Sequence, residues 1–270
     1  MTAITAALVK ELREKSGAGM MDCKTALTKT DGNIEAAIDW LRTKGILKAA
    51  KKSSRLAAEG LIGVASAGKA AAVVEVNSET DFVARNAQFQ EMVTDIAQHA
   101  LKAGGDITKL LAMPFKDKKL STEQHIVEMV ATIGENMTLR RTARLEVKNG
   151  VVSSYVHAHV VPGLGTIGVL VALESTGKDT AALDEIGRML AMHIAAVSPI
   201  ALDYAGVPAD VLAREKAILA EKNQGKPDAV LEKIFASAMK SYAKEFCLVD
   251  QALSQDPSKS VSQAVKEYEG

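Results

Sequence analysis

Val74-Glu75-Val76-Asn77-Ser78-Glu79-Thr80-Asp81-Phe82-Val83-Ala84-Arg85-Asn86 carries the chain from one kind of local structure into another. The β-branched run Ala71–Asn77 reads as a strand. From Val83 to about Lys102 a helical period takes over, with Phe89, Val93, Ile96, Ala97 and Ala100 on one face. Between strand and helix, Glu79-Thr80-Asp81-Phe82 is polar turn sequence interrupted by a single aromatic. Two readings of that aromatic are open. Thr80 or Asp81 caps the helix while Phe82 staples its first turn to the core, or Phe82 stands exposed beside an acid as an anchor for a partner's pocket.

Upstream, Leu61–Ser66 and Ala71–Asn77 flank Ala67-Gly68-Lys69, which is hairpin spacing. Three short helices are expected before them: Ile4–Lys15, Met21–Thr28, and Ile34–Lys44 with a stop at Gly45. Together they make a compact bundle over residues 1–47, followed by a polar, basic linker at 48–59 for which helix is one open reading. Downstream, a helix is expected at Thr122–Gly134 after the Pro114–Ser121 loop, then three strands at Leu139–Val147, Val151–Val160 and Thr166–Glu174. Helical pattern returns at Thr180–Val197. Ala209–Lys222 and Asp228–Glu245 are joined by Asn223-Gln224-Gly225-Lys226-Pro227 as a helical hairpin. Ser260 caps a last short helix.

Val74–Ser78 can be laid over Val171–Ser175, and Ile96–His99 over Leu190–His193, so the two halves read as a weak duplication. The first copy has about three more residues between strand and helix, at the Phe82 corner.

Composition narrows the function. The 270 residues are 47% hydrophobic and 24% charged, an ordinary globular balance able to bury sizeable cores. Lys plus Arg equals Asp plus Glu at 33 each, so no net field draws the chain to nucleic acid. No run is long and apolar enough for a bilayer, and the amino terminus lacks a secretory pattern. Cys23 and Cys247, far apart and outside any CxxC, fit a reducing cytoplasm.

Enzyme signatures are lacking. Gly163-Leu164-Gly165-Thr166-Ile167-Gly168 matches GxGxxG as letters but precedes a strand, where a dinucleotide site needs a helix. There is no GxxxxGK[ST], GxSxG or HExxH. His157 and His159, two apart on an expected strand, would face one way, yet no third His or Cys lies near to complete a metal site. His99 and His193, each on an alanine-rich helix, read as packing residues. Met20 and Met21 follow a Gly-Ala-Gly break, either buried in the bundle or offered to a partner groove. No cofactor or metal is expected.

Several of these stretches resemble one family. Leu8–Lys24, with Ser16-Gly17-Ala18-Gly19-Met20-Met21-Asp22-Cys23 at its centre, is similar to the amino-terminal signature of bacterial elongation factor Ts proteins. Ala36–Arg42 ahead of a Lys-Gly pair, and Val76–Asn86 in full, resemble further family signatures. So do Ile167–Val171, Met192–Ala196 and Gly225-Lys226-Pro227, in family order along essentially the whole chain.

The resemblance implies an α+β protein: a ubiquitin-associated-like three-helix module at 1–47 and a core of two α+β subdomains with antiparallel sheets, at 60–135 and 136–250. It also implies an inserted coiled-coil hairpin at about 206–245 and a carboxy-terminal helical module at 251–270. It implies a guanine-nucleotide exchange factor rather than an enzyme, cytoplasmic, whose partner is elongation factor Tu in its GDP-bound and nucleotide-free forms. The TDFV segment, here Thr80, Asp81, Phe82 and Val83, would enter the GTPase near its magnesium, with Leu12, Met20, Met21 and His157 as further contacts. His157–Thr166 is longer and less polar than the family's usual turn.

Three other readings stand beside this one: a module that sequesters its partner without exchange, a metal enzyme built on His157 and His159, and an RNA binder.

Overall fold

The computed structural model describes residues 4–116, 120–177 and 179–268. The ends of the two terminal modules and the middle of the expected Pro114–Ser121 loop lie outside the described residues. The chain divides into two compact units, 1–146 with 156–168, and 147–155 with 169–270.

The first unit opens with α1 (Ala6–Ser16), α2 (Met20–Lys29) and α3 (Ile34–Lys52). Thr5 caps α1 through Leu8 N, Gly17 ends it in the left-handed region, and Asn33 caps α3 through Ala36 N. Leu12, Cys23, Ala26, Leu27 and Ala37 form the bundle's buried centre, with Leu8, Ile34 and Leu41 packed around it.

The stop expected at Gly45 does not occur. α3 runs through it to Lys52, so the first residues of the expected linker are helical. Gly45 is buried where α3 packs on α6 (Thr122–Ile133), and a Cβ there would sit 3.1 Å from Ala131 Cβ. The glycine serves close helix approach rather than a left-handed cap.

A four-stranded antiparallel sheet follows, ordered β3 (Met137–Glu146), β2 (Ala70–Ser78), β1 (Glu59–Ser66), β5 (Leu164–Gly165). The expected hairpin Leu61–Ser66 with Ala71–Asn77 is present as β1–β2. The stretch near Leu139–Val147, expected among a later set of strands, instead pairs with β2. Long-range pairing of this kind leaves no local mark, since only the period of two is visible in a strand.

Leu61, Ala65, Ala72, Val74 and Val76 turn one face of the sheet toward α4 (Ala87–Ala103). Its Phe89, Met92, Val93, Ile96, Ala97 and Ala100 are buried against them. Gly63 permits the approach, because a Cβ there would come within 2.9 Å of Val93 Cγ1. The short helix α5 (Ile107–Ala112), absent from the sequence reading, buries Leu110 in the same core.

The second unit pairs β4 (Gly150–His157) with β6 (Ile167–Glu174) and adds α7 (Thr180–Val197). Val171, Ile186, Leu190 and Ala191 share a core with Leu253, Val261 and Ala264 of the last segment, β7 (Ala252–Leu253), β8 (Asp256–Ser260) and α10 (Val261–Glu267). The small hairpin β7–β8 was not anticipated. Ser260 caps α10 as expected, within a capping box completed by Gln263. The two charged helices form as read, α8 (Ala209–Lys222) and α9 (Asp228–Phe246), with Lys216 Nζ 5.6 Å from the Phe235 ring centre.

Candidate functional site

Eight residues separate β2 from α4, while five separate β6 from α7. The three extra residues fall at the corner singled out in the sequence. Its construction differs from the expected cap and staple. α4 starts at Ala87, not Val83, and its cap is Asn86, whose Oδ1 accepts from Gln88 N and Phe89 N at 2.9 and 3.2 Å. Thr80 and Asp81 are thereby released from capping. Val83–Arg85 form a single 3-10 turn, closed by Arg85 N donating to Phe82 O and Asn86 N to Val83 O.

That tight turn sends consecutive side chains opposite ways. Val83 drops into the core beside α4, whereas the Phe82 ring is 74% exposed. Asp81 is exposed beside it, and its carbonyl accepts from Ala84 N at 3.2 Å. The staple reading of Phe82 therefore fails, because its ring does not join the core.

The corner is held from its other side. Thr80 donates twice to one carboxylate: its backbone N to Glu135 Oε2 at 2.9 Å and its Oγ1 to Glu135 Oε1 at 2.7 Å. Ser78 Oγ donates to Thr80 O. Glu79 accepts from the Asn136 amide at 2.6 Å and stands 3.5 Å from the Arg55 guanidinium. Asn136 Nδ2 donates to Arg55 O. The Asn136 amide, with Arg55 assisting, holds the Glu79 carboxyl below its usual range.

Glu135, Asn136 and Arg55 were missed by sequence reasoning. The only local signal was a glycine stop after α6 followed by two polar residues, and nothing linked it to a position 55 residues earlier.

Of the other nominated residues, Met20 and Met21 are 58% and 74% exposed at the start of α2, so neither is buried in the bundle. Leu12 must be corrected. It is fully enclosed at the centre of the bundle, on the inner stripe of α1, and its side chain is unavailable to a partner without unfolding.

His157 is exposed, but β4 ends at it and Ala158 takes a left-handed φ of 50°. His157 and His159 are therefore not successive same-face residues of a strand. Thr166 N donates to His157 O, and Val160 N to Leu164 O, which shapes 157–166 into a closed loop. Among the described residues no group of three His, Cys, Asp or Glu is placed to hold a metal ion. No helix is long and apolar enough to cross a membrane among them.

The two helix histidines differ. His193 is fully buried; its Nδ1 accepts from Ser254 N at 3.2 Å, which leaves the ring proton on Nε2 facing Gln251 Oε1 at 3.0 Å. His99 lies edge-on to Phe115, its Nδ1 is buried without a hydrogen bond, and burial pushes its pKa down.

Residues 79–270 match the family model described as Elongation factor TS. Over 270 residues the chain is 58% identical to the elongation factor Ts of Xanthobacter autotrophicus and to that of Methylobacterium nodulans. It is 58% identical over 272 residues to that of Rhodopseudomonas palustris strain BisA53. Each alignment covers all of this chain and 88% of the relative, so residues 1–78, ahead of the family-model match, are also aligned.

Proposed function

The chain belongs to the elongation factor Ts family, and we propose on that basis that it is a guanine-nucleotide exchange factor for elongation factor Tu. It binds the GDP form, opens the phosphate and magnesium site, and lets GTP replace the released GDP during translation elongation. It catalyses no bond-making step, works in the cytoplasm, and binds neither nucleic acid nor membrane directly. Residues 1–47 act as a ubiquitin-associated-like module in this reading, and about 206–245 as a coiled-coil hairpin.

The observation that carries the reading is the corner at Thr80–Val83. An aromatic ring 74% exposed, on a turn fixed from both sides, is a wedge rather than a core residue. Burying such a ring in a partner is worth roughly 1.5–3 kcal/mol, enough to offset part of a helix displacement there. Asp81, exposed next to it, competes for the groups that order the magnesium's water network, since outer partners tune a metal site strongly. One carboxylate is a poor cage for Mg²⁺ on its own, so Asp81 does not take the ion.

The coupling is reciprocal: a factor that weakens GDP binding is itself bound more weakly by the GDP form, by the same factor. A release rate raised about ten-thousandfold corresponds to a barrier lowered by about 5.5 kcal/mol. Phe82 alone cannot supply that. Wider contacts contribute the rest, with Met20 and Met21 among them and His157 on a separate loop.

Stopped-flow release of labelled GDP from elongation factor Tu tests the proposal. Substoichiometric amounts of this protein should accelerate release through many turnovers. A partner-sequestering protein would act only in stoichiometric amounts, and that result would remove the exchange reading.

A further inference from the structure

Glu135 and Glu79 are exchanged between two segments. The carboxylate of Glu135, in the connection from α6 to β3, receives both donors of Thr80 in the corner. The carboxylate of Glu79, in the corner, receives the amide of Asn136 in the connection. Each segment supplies the acceptor for the other's backbone, so the two are latched by side chains where no strand ladder continues. Arg55 closes the latch, 3.5 Å from Glu79 and with its carbonyl on Asn136 Nδ2.

Phe82 gains no position from packing, because its ring lies outside the core. Its location is inherited from the backbone on either side. After it, Val83 is buried and the 3-10 turn is closed by backbone bonds. Before it, Thr80 has its amide and hydroxyl both committed to Glu135. A group that acts by entering another molecule loses effect steeply when its geometry is loose, since ordering it must then be done at the moment of binding.

We infer that Glu135 is a positioning residue for exchange: by clamping Thr80 it holds the Phe82 ring where it enters the GTPase. This inference rests on the exchange reading above. It makes Glu135 a determinant of the rate within the complex rather than of the encounter.

The test compares the parent with Glu135→Ala, Glu135→Gln and Phe82→Ala, and with the Glu135→Ala/Phe82→Ala double variant, in GDP release from elongation factor Tu. Glu135→Ala should lower the maximal stimulated rate about tenfold while the half-saturating concentration changes less than about threefold. Glu135→Gln retains one acceptor for Thr80 and should recover about half of that loss on a logarithmic scale. In the Glu135→Ala background, Phe82→Ala should cost less than about threefold, because an unpositioned ring has little left to lose.

Hydrogen exchange of the Thr80 amide gives a readout independent of the GTPase, and it should speed up in Glu135→Ala. Additive single effects, or an unchanged Thr80 amide, overturn the inference and leave the exchange reading standing. A parent that does not stimulate GDP release removes the exchange reading and the inference with it.

Discussion

Phe82 and Val83 are neighbours in the chain and opposites in environment: the ring of one is 74% exposed, while the other keeps 4% of its surface. Substitutions at the two should therefore separate function from stability. Phe82→Ala removes no core contact and should shift unfolding by less than about 0.5 kcal/mol, while exchange activity falls about tenfold or more. Val83→Ala should instead cost roughly 2 kcal/mol of stability from the lost methyls. Calorimetry paired with GDP-release kinetics decides it. Equal destabilisation by both would mean the ring is a staple after all.

Gly45 yields a second prediction, in the contact between α3 and α6. A Cβ at this position stands 3.1 Å from Ala131 Cβ, so even alanine requires its neighbour to give, and a larger side chain must push the two helices apart. Gly45→Leu should destabilise by about 1–3 kcal/mol despite leucine's better helix propensity. A variant that melts at or above the parent's temperature would show that the helices separate at no cost.

Local order was readable from the sequence, and long-range partnership was not. The β1–β2 hairpin, the buried stripe of α4, the α8–α9 pair and the Ser260 cap all follow from patterns local in the chain. Of the two readings of Phe82, the staple is excluded by the ring's exposure and by the cap's place at Asn86. Gly45 misled because a glycine inside a helix and one ending a helix are the same letter; only the presence of Ala131 distinguishes them. Leu12 misled in another way. It entered through the family resemblance, and only the packed bundle shows that its side chain is turned to the core. The clamp from Glu135 joins residues 55 apart, and no local pattern announces it.

The latch also sets a pH dependence. Glu79 is held below its ordinary value of 4.5, first by the Asn136 amide and then by Arg55. A carboxyl depressed in the folded state contributes stability above its unfolded pKa and loses it as pH falls through the folded value. Glu79→Gln should therefore melt below the parent by a constant margin between about pH 8 and 6, and that gap should close below 4.5. Melting curves across that range measure it. A gap that stays open in acid would mean the Glu79 charge does not matter.

His193 and His99 were laid over one another as equivalent helix residues, and their surroundings call for opposite outcomes. His193 joins α7 to the last segment through Gln251 Oε1 and Ser254 N, with Gln251 Nε2 donating on to Glu245 O. Its removal empties a fully buried site and leaves an acceptor and a donor without partners. His193→Ala should cost roughly 3–5 kcal/mol. Glutamine can present an oxygen to Ser254 N and an amide to Gln251, so His193→Gln should lose less than half as much. At His99, the buried Nδ1 has no hydrogen bond to forfeit. His99→Leu should change stability by under about 1.5 kcal/mol near neutral pH. It should also hold stability better than the parent as pH falls below about 6.5, because the parent's histidine, pushed down by burial, must be charged there at the expense of the fold. Denaturant midpoints for the three variants at pH 7 and at pH 5.5 check both halves, and equal losses at the two positions would contradict the difference in their hydrogen bonding.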